Sequence, residues 1–411
     1  MIKIDHIEIS GYKNISSANL NLGNFNVIIG PNNSGKSNFI QTIPFLNFVI
    51  NSSLDEVEKS FSNAYYLMPF NNIIPSINSD EFLKTFDKSR NGIMKFILVI
   101  SNTLTNRIFN YNIEIEWENQ GIKSKFKIKS EKLDVKNINK PGKASAIFSR
   151  EYNIVNYGSD ILSKNVIKNV PDYSSVIRVL KIFREMSEDY KDAIDSLDEI
   201  LKTPIFYFSH IELLRPDKER LNAFNGRVVA FELEKEIILL QESDKWNIFK
   251  EALKNILQIE DSTVLSFGEK EKNIATKFLY FNHYRTSKTL SDFSDGTILI
   301  IALITKILSS KTNLFLIEEP ENSIHPKALV DLISFIKSFS ENTQFIITSH
   351  SIALINKTKI EEIIASSVDG DGSCIFYNIS SRKELKNRLK RSLVTFSDEL
   401  FFSADDNNEF E

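Results

Sequence analysis

The sequence predicts an α/β protein in which a mixed β-sheet is flanked by helices. A short apolar run at residues 26–29 leads through a glycine-containing loop into residues that favour a helix. Two further apolar runs, at residues 314–317 and 345–348, resemble strands that are buried on both faces. Each run ends in polar side chains, and open α/β sheets bind ligands at the carboxyl ends of their strands. The polar residues that follow these strands are therefore the first candidates for a site.

Residues 30–37 read Gly-Pro-Asn-Asn-Ser-Gly-Lys-Ser and match the G-x-x-x-x-G-K-[ST] pattern of a phosphate-binding loop. Its glycines let the backbone turn its N–H groups toward phosphate oxygens, and the following helix adds the positive end of its dipole. We expect Lys36 to reach the β- and γ-phosphates and Ser37 to hold Mg²⁺. The predicted nucleotide-binding residues here are Gly30, Pro31, Asn32, Asn33, Ser34, Gly35, Lys36, Ser37 and Asn38. The loop predicts ATP and Mg²⁺ as cofactors.

The other two apolar runs supply the remaining groups that a nucleotide hydrolase needs. Glu318 and Glu319 follow residues 314–317, and we assign Glu318 to the Mg²⁺ shell and Glu319 to the catalytic base. His350 follows the last apolar run, where a histidine can hydrogen-bond the γ-phosphate or the attacking water. We therefore predict Glu319, Lys36 and His350 as catalytic residues.

A fourth segment predicts a second anion-binding helix start. Ser294 reads as the N-cap of a buried helix that begins before the apolar residues 298–303. In chain order this segment lies far from the phosphate loop. If Ser294 and Gly296 contact a γ-phosphate, we expect them to do so across a dimer.

Taken in order, these segments resemble a known family. The segments are the phosphate loop, Phe-Ser-Asp-Gly-Thr at 293–297, Leu-Ile-Glu-Glu-Pro-Glu at 316–321 with Ile-His-Pro at 324–326, and Thr-Ser-His-Ser at 348–351. Together they resemble those of ABC-class ATPases of the SMC, RecF and OLD (overcoming lysogenization defect) group. The Glu-Pro-Glu run and the form of the signature are most similar to OLD-like ATPases of anti-phage systems.

The resemblance implies an ABC-type ATPase head with an α+β insertion between Walker A and the signature motif. It implies that Ser294 and Gly296 of one subunit close on ATP held by the other, and that His350 acts as a switch. It also implies a D-loop at residues 322–325. Two positions depart from the family: Glu318 stands where most members have Asp, and Asp295 adds a negative charge to the signature.

The long separation between loop and signature predicts the domain organisation. We expect the head to comprise residues 1–50 and 204–380, with residues 51–203 as the insertion. Residues 381–411 read as a basic helix followed by an acidic tail. Residues 391–402 resemble the junction that leads into the TOPRIM nuclease of OLD proteins, and a TOPRIM domain is not expected here.

Alternation of charge and hydrophobicity predicts a hairpin within residues 111–130, with a two-residue loop at 120–121. The expected pairs are Glu118 with Lys123, Glu116 with Lys125, Glu114 with Lys127, Ile115 with Phe126, and Ile113 with Ile128. The lysines at period two can be interpreted as a nucleic-acid stripe or as a solvated ion-pair face. The facing glutamates favour the ion-pair face.

Three further local predictions follow from spacing. Residues 173–201 and 232–258 carry helical periodicity, and residues 173–201 are interpreted as a packed amphipathic helix rather than a projecting arm. Pro44 is expected to end or kink the helix after the phosphate loop. The Asp-Gly-Asp-Gly run at residues 369–372 is interpreted as a hairpin turn rather than a metal site.

Composition limits the other possibilities. The formal net charge of −4 over 411 residues leaves DNA contact to local patches, so DNA is only an alternative partner. The single cysteine, Cys374, excludes an internal disulfide and fits a reducing compartment. No run is long and apolar enough to span a membrane. We expect a cytoplasmic protein.

The leading hypothesis is an ATP-hydrolysing switch that dimerises, or forms a higher homo-oligomer, on ATP. It would control a separately encoded nuclease or toxin in anti-phage defence. The alternative is a RecF-like DNA-repair protein in which ATP gates DNA binding. A transporter ATPase is the third hypothesis. The long insertion and the form of the Glu-Pro-Glu run both argue against it.

Overall fold

The computed structural model describes most of the chain. The described residues are 1–51, 92–118, 125–139, 142–158, 168–181, 188–203, 205–207, 230–269, 274–370 and 372–379. Within them, thirteen strands hydrogen-bond into one large mixed sheet and three form a smaller sheet. Helices flank the large sheet, so the predicted α/β class is confirmed.

The strands of the large sheet come from both ends of the chain. They are β1 (Ile2–Ser10), β2 (Ile15–Asn21), β3 (Phe25–Ile29), β4 (Ile93–Asn102), β5 (Arg107–Glu118), β6 (Lys125–Asn137), β7 (Ser145–Glu151), β8 (Ile154–Tyr157), β9 (Ile205–Tyr207), β13 (Leu314–Glu318), β14 (Gln344–Thr348), β15 (Ile363–Val368) and β16 (Cys374–Asn378). The smaller sheet contains β10 (Asp261–Glu269), β11 (Ile274–His283) and β12 (Thr286–Lys288).

The described α-helices are α1 (Lys36–Asn51), α2 (Val176–Lys181), α3 (Glu188–Leu201), α4 (Ala230–Gln241), α5 (Trp246–Leu257), α6 (Asp295–Ser309), α7 (Pro326–Ser338) and α8 (Ile352–Asn356). Pro326 is the first residue of α7, where its missing N–H costs nothing because the first turn of a helix does not use it.

The large sheet has a parallel centre and an antiparallel wing. Its strand order is β8-β7-β6-β5-β4-β1-β2-β16-β15-β3-β14-β13-β9. The strands β15, β3, β14, β13 and β9 pair in parallel, whereas β4 to β8 pair antiparallel and continue from β1. The predicted division into head, insertion and C-terminal segment stays a prediction.

Two apolar cores cover the two faces of the parallel centre. Leu314 and Leu316 of β13 point into a core shared with α1, α2 and α3. Phe315 and Ile317 point into the opposite core, which contains α4, α5, α6 and α7. A strand buried on both faces has no polar alternation, which is why these runs are uniformly apolar in the sequence.

The predicted hairpin forms, but its predicted register is wrong. Glu116 pairs with Lys127 and Ile115 pairs with Ile128, which is a shift of two residues from the expected partners. The backbone pairing begins at Glu118 with Lys125, and residues 119–124, which include Lys123, lie outside the described residues. A shift of two keeps Ile115 and Glu116 on their predicted faces, so Glu116 still opposes a lysine. Beyond Ile115 the faces change, because Glu114 opposes Ser130 and Ile113 opposes Glu131.

A bulge adds one further residue to the shift beyond Ile115. Ile115 pairs with Ile128 but Glu114 pairs with Ser130, so Lys129 is the extra residue. The extra residue turns Glu131 toward the interior, where it is 1% exposed and lies against the buried Arg150. Glu131 also accepts a hydrogen bond from the Val176 N–H at 2.8 Å, which fixes the start of α2 on the wing.

The helical predictions need two corrections. Pro44 lies inside α1 and does not end it, because Phe45 and Leu46 continue the buried face. The segment predicted at 232–258 is two helices, α4 and α5, since Ser243 accepts and donates hydrogen bonds in the turn between them. The residues predicted helical at 173–201 pack as α2 and α3, with 182–187 outside the described residues.

The turn interpretation of residues 369–372 is confirmed, because β15 and β16 pair antiparallel and the Asp369 N–H donates to the Ser373 carbonyl at 2.7 Å. The predicted basic helix, acidic tail and TOPRIM-like junction lie outside the described residues. Among the described helices, none has the length and hydrophobicity needed to cross a membrane.

Candidate nucleotide-binding site

The phosphate loop joins the buried strand β3 to helix α1. Lys36 is the first residue of α1, so the loop lies at the amino end of the helix. Gly35 has φ +80°, a left-handed conformation that glycine adopts at no steric cost. Asn33 has φ +65°, and asparagine is among the few other residues that tolerate this region. The loop therefore has the backbone that its sequence predicts.

Lys36 folds back over the loop. Its Nζ donates to the carbonyl oxygens of Gly30 at 3.0 Å and Pro31 at 2.8 Å. Burial lowers the pKa of Lys36 to about 8, although Glu319, Glu321 and Glu318 act in the opposite direction. The lysine is thus a desolvated cation beside three carboxylates, where an anionic phosphate would stabilise its charged form.

Gly30 is required because another part of the chain approaches it closely. A Cβ atom at Gly30 would lie 2.1 Å from Ser366 Oγ and 2.6 Å from the Ser366 carbonyl oxygen. Ser366 belongs to β15, and its hydroxyl bonds both the Ser34 hydroxyl and the Ile29 carbonyl. The neighbouring strand therefore holds the loop in its curled form.

Parallel pairing brings the acidic segment next to the loop. The register aligns Glu318 of β13 with Thr348 of β14, and Thr348 with Ile28 of β3. The chain then turns sharply at Glu319, whose φ of +44° is unusual for a residue with a side chain. The Glu319 N–H donates to the Thr348 carbonyl at 3.0 Å, which fixes this turn against the end of β14.

His350 contacts the predicted base directly. Its Nε2 lies 3.2 Å from Glu319 Oε1. Glu321 accepts hydrogen bonds through Oε1 from the Ser349 hydroxyl, at 2.9 Å, and from the His350 N–H. Burial and the charge of Lys36 lower the pKa of His350, and Glu319 and Glu321 oppose that shift. A neutral imidazole can donate to Glu319 or accept from a water molecule.

One open cleft of about 510 Å³ gathers most of the predicted residues. It is lined by Asn14, Asn32, Asn33, Ser34, Gly35, Lys36, Ser37, Asn38, Glu319 and His350. Gly30 and Pro31 do not line it, but their carbonyl oxygens accept hydrogen bonds from Lys36. Glu318 does not line the cleft, but its charge acts on Lys36.

The predicted signature residues lie elsewhere. Ser294 caps α6, and its hydroxyl accepts from the Thr297 N–H, as the sequence predicts for an N-cap. Gly296 packs against the loop after β13, because a Cβ there would lie 2.0 Å from the Ser323 carbonyl oxygen. Neither Ser294 nor Gly296 lines the cleft of its own chain.

The structure adds a cleft residue that motif matching misses. Asn14 follows β1 and donates to the Asn33 carbonyl at 3.3 Å, and it accepts from Asn38 at 2.6 Å. It also contacts the buried thiol of Cys374 at 3.1 Å. Asn14 belongs to none of the recognised motifs, so only its polar position just after an amphipathic strand could have suggested it.

The residues fit ATP and Mg²⁺ in their chemistry. The curled loop and the helix start form an anion cradle, and Lys36 supplies its fixed charge. Three carboxylates, Glu318, Glu319 and Glu321, act on a single buried ammonium group, so a divalent cation would restore the balance of charge. Mg²⁺ needs only one or two protein oxygens when phosphates and water supply the rest, and Ser37 and Glu318 are the candidate ligands.

The mixed sheet, the phosphate loop and the acidic strand end define a P-loop ATPase of the SMC/ABC type. A family model described as "AAA domain, putative AbiEii toxin, Type IV TA system" matches residues 25–356. The chain belongs to this family.

The relatives found by comparison are distant. The chain is 22% identical over 315 residues to structural maintenance of chromosomes protein 1 of Saccharomyces cerevisiae, a match that covers 67% of this chain. It spans about a quarter of that protein, 25% of its length. Solved structures with a similar outline include the SMC head domain from Thermotoga maritima, with 13% identity, 92% and 98% coverage and a TM-score of 0.43. Another is an Smc head domain bound to the C-terminal domain of ScpA derived from Pyrococcus furiosus, with 12% identity, 95% and 100% coverage and a TM-score of 0.44.

The contact between Gly30 and Ser366 yields a prediction for nucleotide affinity. Gly30→Ala forces the loop away from β15, and overpacking of this kind costs about 1–3 kcal/mol, or roughly 5- to 150-fold in binding. Fluorescence titration with a labelled ATP analogue measures the loss. Gly23→Ala is the matched control, because the nearest atom to a Cβ there is 3.8 Å away. Equal affinity of the two variants would contradict the account of the loop.

Proposed function

We propose that the chain is an ATP-hydrolysing switch that dimerises on ATP and regulates a separately encoded nuclease or toxin in anti-phage defence. In this proposal Lys36 binds the β- and γ-phosphates, Glu319 is the general base for the attacking water, and His350 senses the γ-phosphate. Ser37 and Glu318 would hold Mg²⁺, which would supply positive charge to the phosphate oxygens when bound.

The contact between His350 and Glu319 beside the phosphate loop carries the proposal. A general base has to lie within hydrogen-bond reach of the water that it activates, and a cleft lined by Glu319, His350 and Lys36 offers that water a place. Strand pairing sets the relative positions of all three residues. The paired strands therefore hold these side chains in the fixed orientation that catalysis needs.

Two observations on Ser294 support a dimer as the hydrolysing form. Ser294 is exposed at the start of α6, where its helix presents backbone N–H groups to an anion. The cleft of the same chain does not include it. A second copy with its α6 start over this cleft would complete the site, as the resemblance to SMC and RecF ATPases implies.

The proposed effector rests on the family and on the motif resemblance. The family description names an AbiEii-type toxin of a type IV toxin–antitoxin system, and the Glu-Pro-Glu run is similar to that of OLD-like ATPases. Both point to a switch whose output is a toxic activity. We therefore place that activity on another polypeptide, with ATP-dependent assembly as its control.

Substitution of the two central residues tests the site assignment. Lys36→Ala is expected to abolish ATP binding and turnover, because the cradle loses its charge. Glu319→Gln is expected to bind ATP but to hydrolyse it about 10²- to 10⁴-fold more slowly, as loss of a general base does. Phosphate release gives the rate, and light scattering after size exclusion should show that Glu319→Gln accumulates as an ATP-bound dimer.

Lys311→Ala and Glu341→Gln are matched controls for these variants. Both residues are exposed and precede β13 and β14, at the opposite ends of these strands from the cleft. They should retain wild-type turnover. Hydrolysis that persists in both Lys36→Ala and Glu319→Gln would refute the assignment.

Co-expression with a nuclease or toxin encoded beside this chain tests the regulatory proposal. The partner is expected to copurify with tagged Glu319→Gln in the presence of ATP and to be released from Lys36→Ala, because only the first variant holds the ATP-bound form. Partner activity should change with the same pattern. Equal partner binding by both variants would argue against control by ATP.

A further inference from the structure

Both carboxylate oxygens of Glu319 are held by side chains. Oε1 lies 3.2 Å from His350 Nε2, and Oε2 accepts a hydrogen bond from Asn322 Nδ2 at 2.8 Å. A carboxylate that acts as a base must present one oxygen to water while its orientation is kept. When a nucleotide binds, the contact to one oxygen therefore has to open for water, and the contact to the other oxygen has to remain.

The backbone alone does not fix this carboxylate. Glu319 adopts the left-handed region at φ +44° and ψ +60°, which is unfavourable for a residue with a side chain. Hydrogen bonds from its N–H to the carbonyl and the hydroxyl of Thr348, at 3.0 and 3.3 Å, hold the strained backbone. The side chain still rotates about its own bonds, and Asn322 is the contact that restricts it from within the same turn.

That turn also connects other parts of the site. Residues Pro320–Asn322 form a single 3-10 turn, and the Asn322 N–H donates to the Glu319 carbonyl at 3.2 Å. Glu321 of the same turn binds Ser349 and the backbone of His350. The next carbonyl, that of Ser323, lies against Gly296 at the start of α6.

We propose that Asn322 is a positioning residue for Glu319, and that its side-chain amide keeps Oε2 fixed while Oε1 faces the cleft. The proposal rests on the proposed role of Glu319 as the base. His350 is the exchangeable partner, because its imidazole can turn toward a γ-phosphate and leave Oε1 open to water. Asn322 remains bound through this exchange and preserves the orientation that proton transfer needs.

The amide suits this role because it is a neutral donor. Lys36 already supplies positive charge near Glu319, and a cation in place of Asn322 would compete with the water for the carboxylate. An amide donates to one oxygen without a formal charge of its own. The Asn322 side chain is exposed, so this hydrogen bond holds it in place and burial does not.

Single-turnover hydrolysis by the full chain with Mg²⁺ and ATP tests the proposal. Asn322→Ala is expected to lower the rate about tenfold and to leave the dissociation constant for ATP within about twofold, because the residue acts on Glu319 and not on the nucleotide. Asn322→Asp keeps the shape of the side chain but removes its donor, so it should be at least as slow. If Asn322 only filled space, Asp would be tolerated better than Ala.

A double-mutant cycle with Glu319→Gln tests whether Asn322 affects the rate of hydrolysis through Glu319. If Asn322 works through Glu319, Asn322→Ala should change the residual rate of Glu319→Gln by less than about twofold, although it slows the wild type tenfold. Asn342→Asp, at an exposed turn before β14, controls for the added charge and should behave as wild type.

Three outcomes separate the positioning role from the proposed function itself. A slow Asn322→Ala with unchanged affinity, whose effect vanishes in Glu319→Gln, supports the proposal. Wild-type or faster hydrolysis by Asn322→Ala overturns it while the role of Glu319 stands. Full turnover by Glu319→Gln overturns both, because the base would then be elsewhere.

Discussion

The parallel pairing of β3, β14 and β13 is the constraint on which the rest of the site depends. Each strand is buried on both faces, and each delivers a different group at its carboxyl end. The phosphate loop leaves β3, His350 follows β14, and Glu319 follows β13. Because the ladder fixes the register of these strands, three segments that are remote in sequence reach one cleft without a binding partner to gather them.

The charged groups around the phosphate loop are the second constraint on the site. A buried ammonium group, a histidine of lowered pKa and three carboxylates lie around the loop, and hydrogen bonds restrain most of them. Lys36 binds the carbonyls of its own loop, and Glu319 binds His350 and Asn322. Nucleotide binding would replace several of these internal contacts, so occupancy of the cleft and the arrangement of the switch residues are coupled by direct exchange of partners.

The central strands, the phosphate loop and the N-cap at Ser294 could be predicted from sequence, because each depends on local patterns that the tertiary structure reinforces. Contacts between remote segments could not. Ser366 against Gly30 and Asn14 beside Asn33 depend on sheet order, which no local pattern encodes. The predicted hairpin register is wrong because Glu118 pairs with Lys125 and not with Lys123, so the strands do not meet through the expected two-residue loop, and the bulge at Lys129 adds one further residue to the shift. Pro44 does not end its helix because burial of the following residues outweighs the lost hydrogen bond.

The central claim is that two copies of the chain complete each ATP site, and mixing two inactive variants tests it directly. Ser294→Asp keeps the N-cap of α6 but turns a negative charge toward the partner's phosphate, and Glu319→Gln removes the base. In a mixed dimer one site retains both an intact Ser294 and an intact Glu319. The account predicts that ATP turnover, absent from either variant alone, returns to about a quarter of the wild-type rate in an equal mixture, since half of the dimers are mixed and each has one complete site. A mixture that remains inactive, or a Ser294→Asp chain that hydrolyses ATP by itself, would contradict the account.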